Sequence, residues 1–123
     1  MTWTYQQTTG ILKHDGVLIS KRGYSGVKGS QFQHNKQNVK DKGPIPVGKY
    51  TLIGGPFKHH KTGVYTIRLL PDPKNEMFGR DGFMLHGDSG DHPGEASHGC
   101  IVFPKNIRKN VWESGDHKIE VIE

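Results

Sequence analysis

Cys100 is the only cysteine among 123 residues. It cannot close an internal disulfide, so it is a packed spectator, a reactive thiol or a metal ligand. Long apolar runs are missing as well, and no stretch approaches the roughly 20 apolar residues of a membrane span. The opening "MTWTYQQTTG" has no charged start and no apolar block, unlike a signal peptide. Apolar residues are only 32% of the chain and glycines number 17. Both argue against a helical bundle and for a turn-rich, β-containing domain. The net charge is +5, yet no basic run or basic helix gathers it, so nucleic acid is not an expected partner. An anionic polymer such as a carboxylate-rich cell wall suits that charge.

The length fits one compact domain spanning 1–123, and no repeat, low-complexity tract or linker divides it. "WTYQQTT" alternates large and polar residues and reads as a strand. "GILKHDGVLISKRGYSG" reads as a hairpin turning at Asp15-Gly16, a pair suited to the positive φ of a tight turn. A long polar loop follows, "GVKGSQFQHNKQNVKDKG". Strands are then expected at Lys49 to Ile53, in "GVYTIRLLP", in "GFMLHG" ending at His86, in "GCIVFP" beginning at Cys100, and in "HKIEVIE". "PKNIRKNVWES" carries the one short helix. The expected class is mainly β, with at most one or two short helices.

The chemistry concentrates in "MLHGDSGDHPGEASHGCIVFP", residues 84 to 104. It holds His86, His92, His98 and Cys100 between two apolar strand ends. Fixed ends are a good way to hold a base near a nucleophile. His86 within reach of Cys100 would take the thiol proton and leave a thiolate–imidazolium pair able to attack a carbonyl carbon. The backbone N–H groups of Gly99 and Cys100 are expected to receive the oxyanion. Ser97 is placed to hold the turn, and His98 to orient the loop, line the pocket or assist proton transfer. Two rivals stand beside this reading. His86, His92, His98 and Cys100 could bind zinc as a cell-wall peptidase would, although no paired ligand spacing is present. Alternatively the domain binds cell wall without catalysis. The other histidines, His14, His34, His59, His60 and His117, are expected at exposed loops or strand edges. Trp3 and Trp112 are expected to pack in the core or at its rim.

"SHGCIV" preceded by "HGD" resembles the L,D-transpeptidase (YkuD-like) signature. "GYSG" at 23–26, "GPIPVGKY" at 43–50 and "MLHGDS" at 84–89 resemble the small L,D-transpeptidase-related effectors of type VI secretion systems. The resemblance runs from about Trp3 to about Phe103 with its motifs in order. It implies an L,D-transpeptidase-like β-sandwich or barrel-like catalytic domain that needs no cofactor or metal. It also implies Cys100 as nucleophile, His86 as general base, and His98 and Gly99 within the nucleophile motif. The implied substrate is the stem peptide of peptidoglycan, and an injected toxin of this kind implies a cognate immunity protein. Such a protein is made in the cytoplasm and acts in the periplasm or cell wall of a target bacterium. Tyr24, Ser25 and Gly26 match the "YSG" stretch and are expected to line the groove. Asp88 is a candidate to orient the base, although a backbone carbonyl serves in the family. One departure matters: where the family follows its cysteine with an apolar residue and then Arg or Asn, Ile101 here precedes Val102 and Phe103. The substrate contact then falls to another cation, with Arg68, Arg80 and Lys105 as candidates. The loop from His86 to Cys100 is also shorter than in large transpeptidases. Both features suit trimming the stem, or exchanging its terminal D-amino acid, better than cross-linking.

Overall fold

The computed structural model describes residues 2–123. Its strands are β1 (Trp3–Gln6), β2 (Leu12–His14), β3 (Val17–Ser20), β4 (Tyr24–Ser25), β5 (Gly48–His59), β6 (Gly63–Pro71), β7 (Met84–His86), β8 (Ile101–Val102) and β9 (Lys118–Ile122). One α-helix, α1 (Lys105–Glu113), precedes β9, and a single 3-10 turn at His34–Lys36 interrupts the long polar loop. All nine strands form one mixed sheet in the order β3-β2-β1-β9-β5-β6-β7-β8-β4. The mainly β expectation holds.

Alternation explains which faces turn inward. Trp3 and Tyr5 are buried and their neighbours Thr4 and Gln6 are half-buried. Parallel pairing with β9 sets Trp3 beside Ile119 and Tyr5 beside Val121, and both partners are buried. β5 continues the face with Tyr50 and Leu52, β6 with Ile67 and Leu69, β7 with Leu85 and β8 with Ile101. The sheet curls on this face. Tyr5 on β1 meets Phe103, just past β8, edge-on with ring centroids 6.0 Å apart. In a flat sheet five strand spacings would part them by roughly 24 Å. α1 packs Val111 into the core and Ile107 and Trp112 against it.

The hairpin forms at Asp15 and Gly16, whose φ values of 49° and 84° are those a two-residue turn of this hand requires. β5 runs farther than the sequence suggests, through "GGPFKH" to His59. Gly54 and Gly55 both sit at φ 77°, and the register with β6 slips between Ile53 and Phe57. The apparent breaker is absorbed as an irregularity inside a longer strand. His14 and His117 are not free at the surface as expected. Each is half-buried and stacks on a tryptophan, His14 on Trp3 at 3.9 Å and His117 on Trp112 at 4.1 Å.

Candidate active site

β7 and β8 pair in parallel, Leu85 beside Ile101 and His86 beside Val102. Carried one residue back, this register sets Met84 beside Cys100. Alternate residues share a face, so Cys100, Met84 and His86 stand on one face while Leu85 and Ile101 point into the core. Antiparallel pairing with β6 adds Arg68 beside Met84. A row therefore runs across three strands from Arg68 through Met84 to Cys100, with His86 one step along.

His86 is 1% exposed. Its Nδ1 lies 2.8 Å from the Gly87 carbonyl, which fixes the proton on Nδ1 and leaves the lone pair on Nε2. Burial pushes its pKa below the ordinary histidine value, with the charges of Arg108 and His59 acting the same way. Cys100 is half-buried, and burial pushes its thiol up, opposed by the Met84 N–H, the Arg80 charge and its own N–H. Both shifts favour the uncharged thiol and imidazole over the expected thiolate–imidazolium pair. Sγ reaches the Gly82 carbonyl at 4.0 Å, and among the described residues no hydrogen bond joins it to His86.

A cleft of about 130 Å³ opens beside Cys100, walled by Lys40, Asp41, Arg80, Asp81, Gly82, Phe83, His98 and Gly99. His98 is exposed there. Lys40 and Asp41 come from the long polar loop 26–43, which thus reaches the thiol; no sequence signal tied those two residues to it. Larger clefts of about 430 and 350 Å³ lie elsewhere, and neither is lined by a cysteine or histidine.

The loop that carries Cys100 is held from below. Ser97 Oγ accepts from the Gly26 and Gly99 N–H groups, both at 3.0 Å, and donates to the Cys100 carbonyl. Ser25 Oγ donates to the Gly99 carbonyl at 2.7 Å and accepts from the Ile45 N–H at 2.8 Å. The Tyr24 hydroxyl donates to Asp88 at 2.6 Å and accepts from the Ala96 N–H at 2.9 Å. Three expectations change as a result. Tyr24, Ser25 and Gly26 hold the loop that carries Cys100 rather than line an open groove. Asp88 fastens its own loop, also accepting from the N–H groups of Ser89 and Gly94, while the Gly87 carbonyl takes the imidazole. The Gly99 N–H is committed to Ser97 and is not free for an oxyanion, which leaves the N–H groups of Met84 and Cys100, both of which act to lower the thiol pKa.

The candidate cations also separate. Arg68 is exposed, its guanidinium 4.7 Å above the Phe57 ring. Arg80 is buried and its donors are turned to backbone carbonyls, so it is not available to a substrate carboxylate. Lys105 begins α1 beyond β8. The zinc rival is not supported. Among the described residues, His86, His92, His98 and Cys100 do not bring three ligand atoms within 4.8 Å of one another, whereas His14, Asp15 and Asp116 do. That second cluster is explained by packing, since His14 stacks on Trp3 and its Nε2 lies 2.8 Å from Asp116.

The sequence matches the Tlde1 domain over residues 20–121. No curated protein sequence matches it. Solved structures of similar fold include an L,D-transpeptidase (Yku) from Stackebrandtia nassauensis, at TM-score 0.55 and 19% identity, covering 99% of this chain and 55% of that one. An L,D-transpeptidase from Xylanimonas cellulosilytica matches at TM-score 0.53 and 17% identity, covering 98% and 59%. One from Mycobacterium smegmatis matches at 0.52 and 18%, covering 99% and 58%. The chain thus spans little more than half the length of these structures. The likeness shows a shared L,D-transpeptidase-like fold.

Proposed function

The chain belongs to the Tlde1 domain family of type VI secretion L,D-transpeptidase-related effectors, and on that footing we propose that it cleaves peptidoglycan stem peptides through a thioester on Cys100. The substrate is a tetrapeptide stem whose third residue, a diamino acid, carries a terminal D-alanine. The observation that carries this reading is the shared face of β7 and β8. It sets a thiol at the wall of an open cleft and a buried, Nδ1-anchored imidazole one step along the neighbouring strand.

Sγ attacks the carbonyl carbon that joins the diamino acid to D-alanine. The thiol proton passes to His86 Nε2 as the S–C bond forms, because the resting pair is neutral. The N–H groups of Met84 and Cys100 receive the oxyanion. The C–N bond then breaks, and His86 returns the proton to the leaving amine of D-alanine. Water attacks the thioester, the C–S bond breaks, and a proton returns to Sγ through His86. The products are a tripeptide stem and free D-alanine. A D-amino acid amine in place of water gives exchange. Arg68 supplies the cation for the terminal carboxylate, standing in the row that leads to Cys100 and held over Phe57. Lys40 and Asp41 narrow the cleft from the loop side, which favours small acceptors over a second stem.

The test is mass spectrometry of purified tetrapeptide muropeptides incubated with the protein, with and without an added D-amino acid. Loss of D-alanine, or its replacement by the added residue, supports the reading. Cys100→Ala should abolish both products; cleavage that survives this substitution would sink the mechanism.

A further inference from the structure

Arg80 carries a charge into the interior, at 5% exposure. Among the described residues no carboxylate pairs with it. Its Nη1 donates to the carbonyls of Gln37 at 2.6 Å and Pro44 at 2.8 Å. Its Nη2 donates to those of Gly43 at 2.9 Å and His98 at 3.3 Å. A buried cation is tolerated when its donors are satisfied, and carbonyls satisfy them without cancelling the charge. The planar fork suits this task in a way an ammonium does not.

Two separate stretches converge on this one group. The end of the loop 26–43 is held through Gln37 and Gly43, with Pro44 just beyond it, and the nucleophile loop through His98. The Phe83 ring adds a face 5.2 Å from the guanidinium carbon. The residue before the nucleophile is shaped by the same contact. A Cβ on Gly99 would lie 2.5 Å from Nη2, and Gly99 has φ 149°. Glycine stands there because the guanidinium fills the space a side chain would need.

The remaining charged or titratable groups on this cleft are Lys40 and Asp41 from the loop 26–43, Asp81 beside Arg80, and His98 from the nucleophile loop. The Tyr50 hydroxyl of β5 and the Asp41 carboxylate both favour the charged form of Arg80.

We propose that Arg80 is a positioning residue: it locks the loop 26–43 to the nucleophile loop, and its charge, paired to no carboxylate at contact distance, stabilises the Cys100 thiolate as it forms. This rests on Cys100 acting as the nucleophile, but it can be tested without turnover. The Arg80 charge acts to lower the thiol pKa against the upward push of burial.

Cys100 is the only cysteine, so alkylation by iodoacetamide reports on it alone. The midpoint of the alkylation rate against pH should rise by about one unit in Arg80→Gln, as expected on removing a nearby opposite charge. Arg80→Lys keeps the charge and loses the fork. Its midpoint should stay within about 0.3 unit of wild type, while turnover on a tetrapeptide stem falls about tenfold. An unmoved midpoint in a cooperatively melting Gln variant overturns the electrostatic role. So does a Lys midpoint about one unit above wild type. Full turnover in the Lys variant overturns the positioning role, and the Lys variant carries both readouts should the Gln variant not fold. Because alkylation needs no substrate, a negative result sinks Arg80's role and leaves the Cys100→Ala cleavage test standing.

Discussion

At the scale of single residues, the proposed substrate cation is the contact least legible from motif order. Arg68, Arg80 and Lys105 are chemically alike on the page, and only pairing across strands separates them. Arg80 turns inward to carbonyls, whereas Arg68 lies exposed beside Met84 in the row that ends at Cys100. Cys100 and His86 were readable as candidates because each sits at an apolar strand end in a motif of fixed order. The Gly87 carbonyl on Nδ1 was not readable residue by residue, since any backbone carbonyl could serve. Arg68→Gln should raise KM for a carboxylate-ended tetrapeptide roughly five- to tenfold, the scale of one lost charge-assisted contact. Its kcat should stay within about twofold. Steady-state kinetics on the free acid and on the C-terminal amide decide the matter. If the Gln variant discriminates between acid and amide as strongly as wild type, Arg68 does not bind the carboxylate.

At the scale of elements, period-two strands and the Asp15-Gly16 hairpin were legible because local pattern determines them. β4 was not, being two residues long and ordered by a distant partner, with Tyr24 beside Val102 and Ser25 beside Ile101. The second half of β5 was hidden by its Gly-Gly-Pro. β4 nevertheless anchors the loop that carries Cys100, and Ser25 is its most committed member: 1% exposed and bonded both ways, to the Gly99 carbonyl and the Ile45 N–H. Ser25→Ala leaves one buried acceptor and one buried donor unpartnered. That should cost about 3 kcal/mol, at roughly 1–3 kcal/mol per orphaned group, and slow turnover by loosening Gly99. Ser89 offers the contrast, because its hydroxyl accepts only the exposed His92 N–H. Ser89→Ala should stay within about 0.5 kcal/mol. Urea unfolding of both variants checks the pair. Equal losses would mean that β4 does not anchor the loop.

At the scale of the molecule, the curled sheet and the His86 imidazole depend on each other through pH. The fold buries His86 as a neutral imidazole, with the Arg108 and His59 charges also opposing its protonation. The unfolded chain has no such constraint and takes up that proton near pH 6.5. Below that value the unfolded state binds more protons than the native one, so stability falls as pH falls. The stabilisation is therefore complete above about pH 6.5 and is lost progressively toward the lowered native pKa. One such group changes stability by at most about 1.4 kcal/mol per pH unit. Carboxylates titrate lower, near pH 4, so the window from about 6.5 to 5 isolates the histidines. His86→Gln should flatten the dependence of the urea midpoint on pH across that window relative to wild type. If the two slopes coincide, burial of the neutral base is not what the fold enforces. The same lowering keeps Nε2 unprotonated in mildly acidic surroundings. Stem cleavage by the wild-type chain should then persist below pH 6.5 even as the fold weakens, so the acid limit of activity is set by stability as well as by the base.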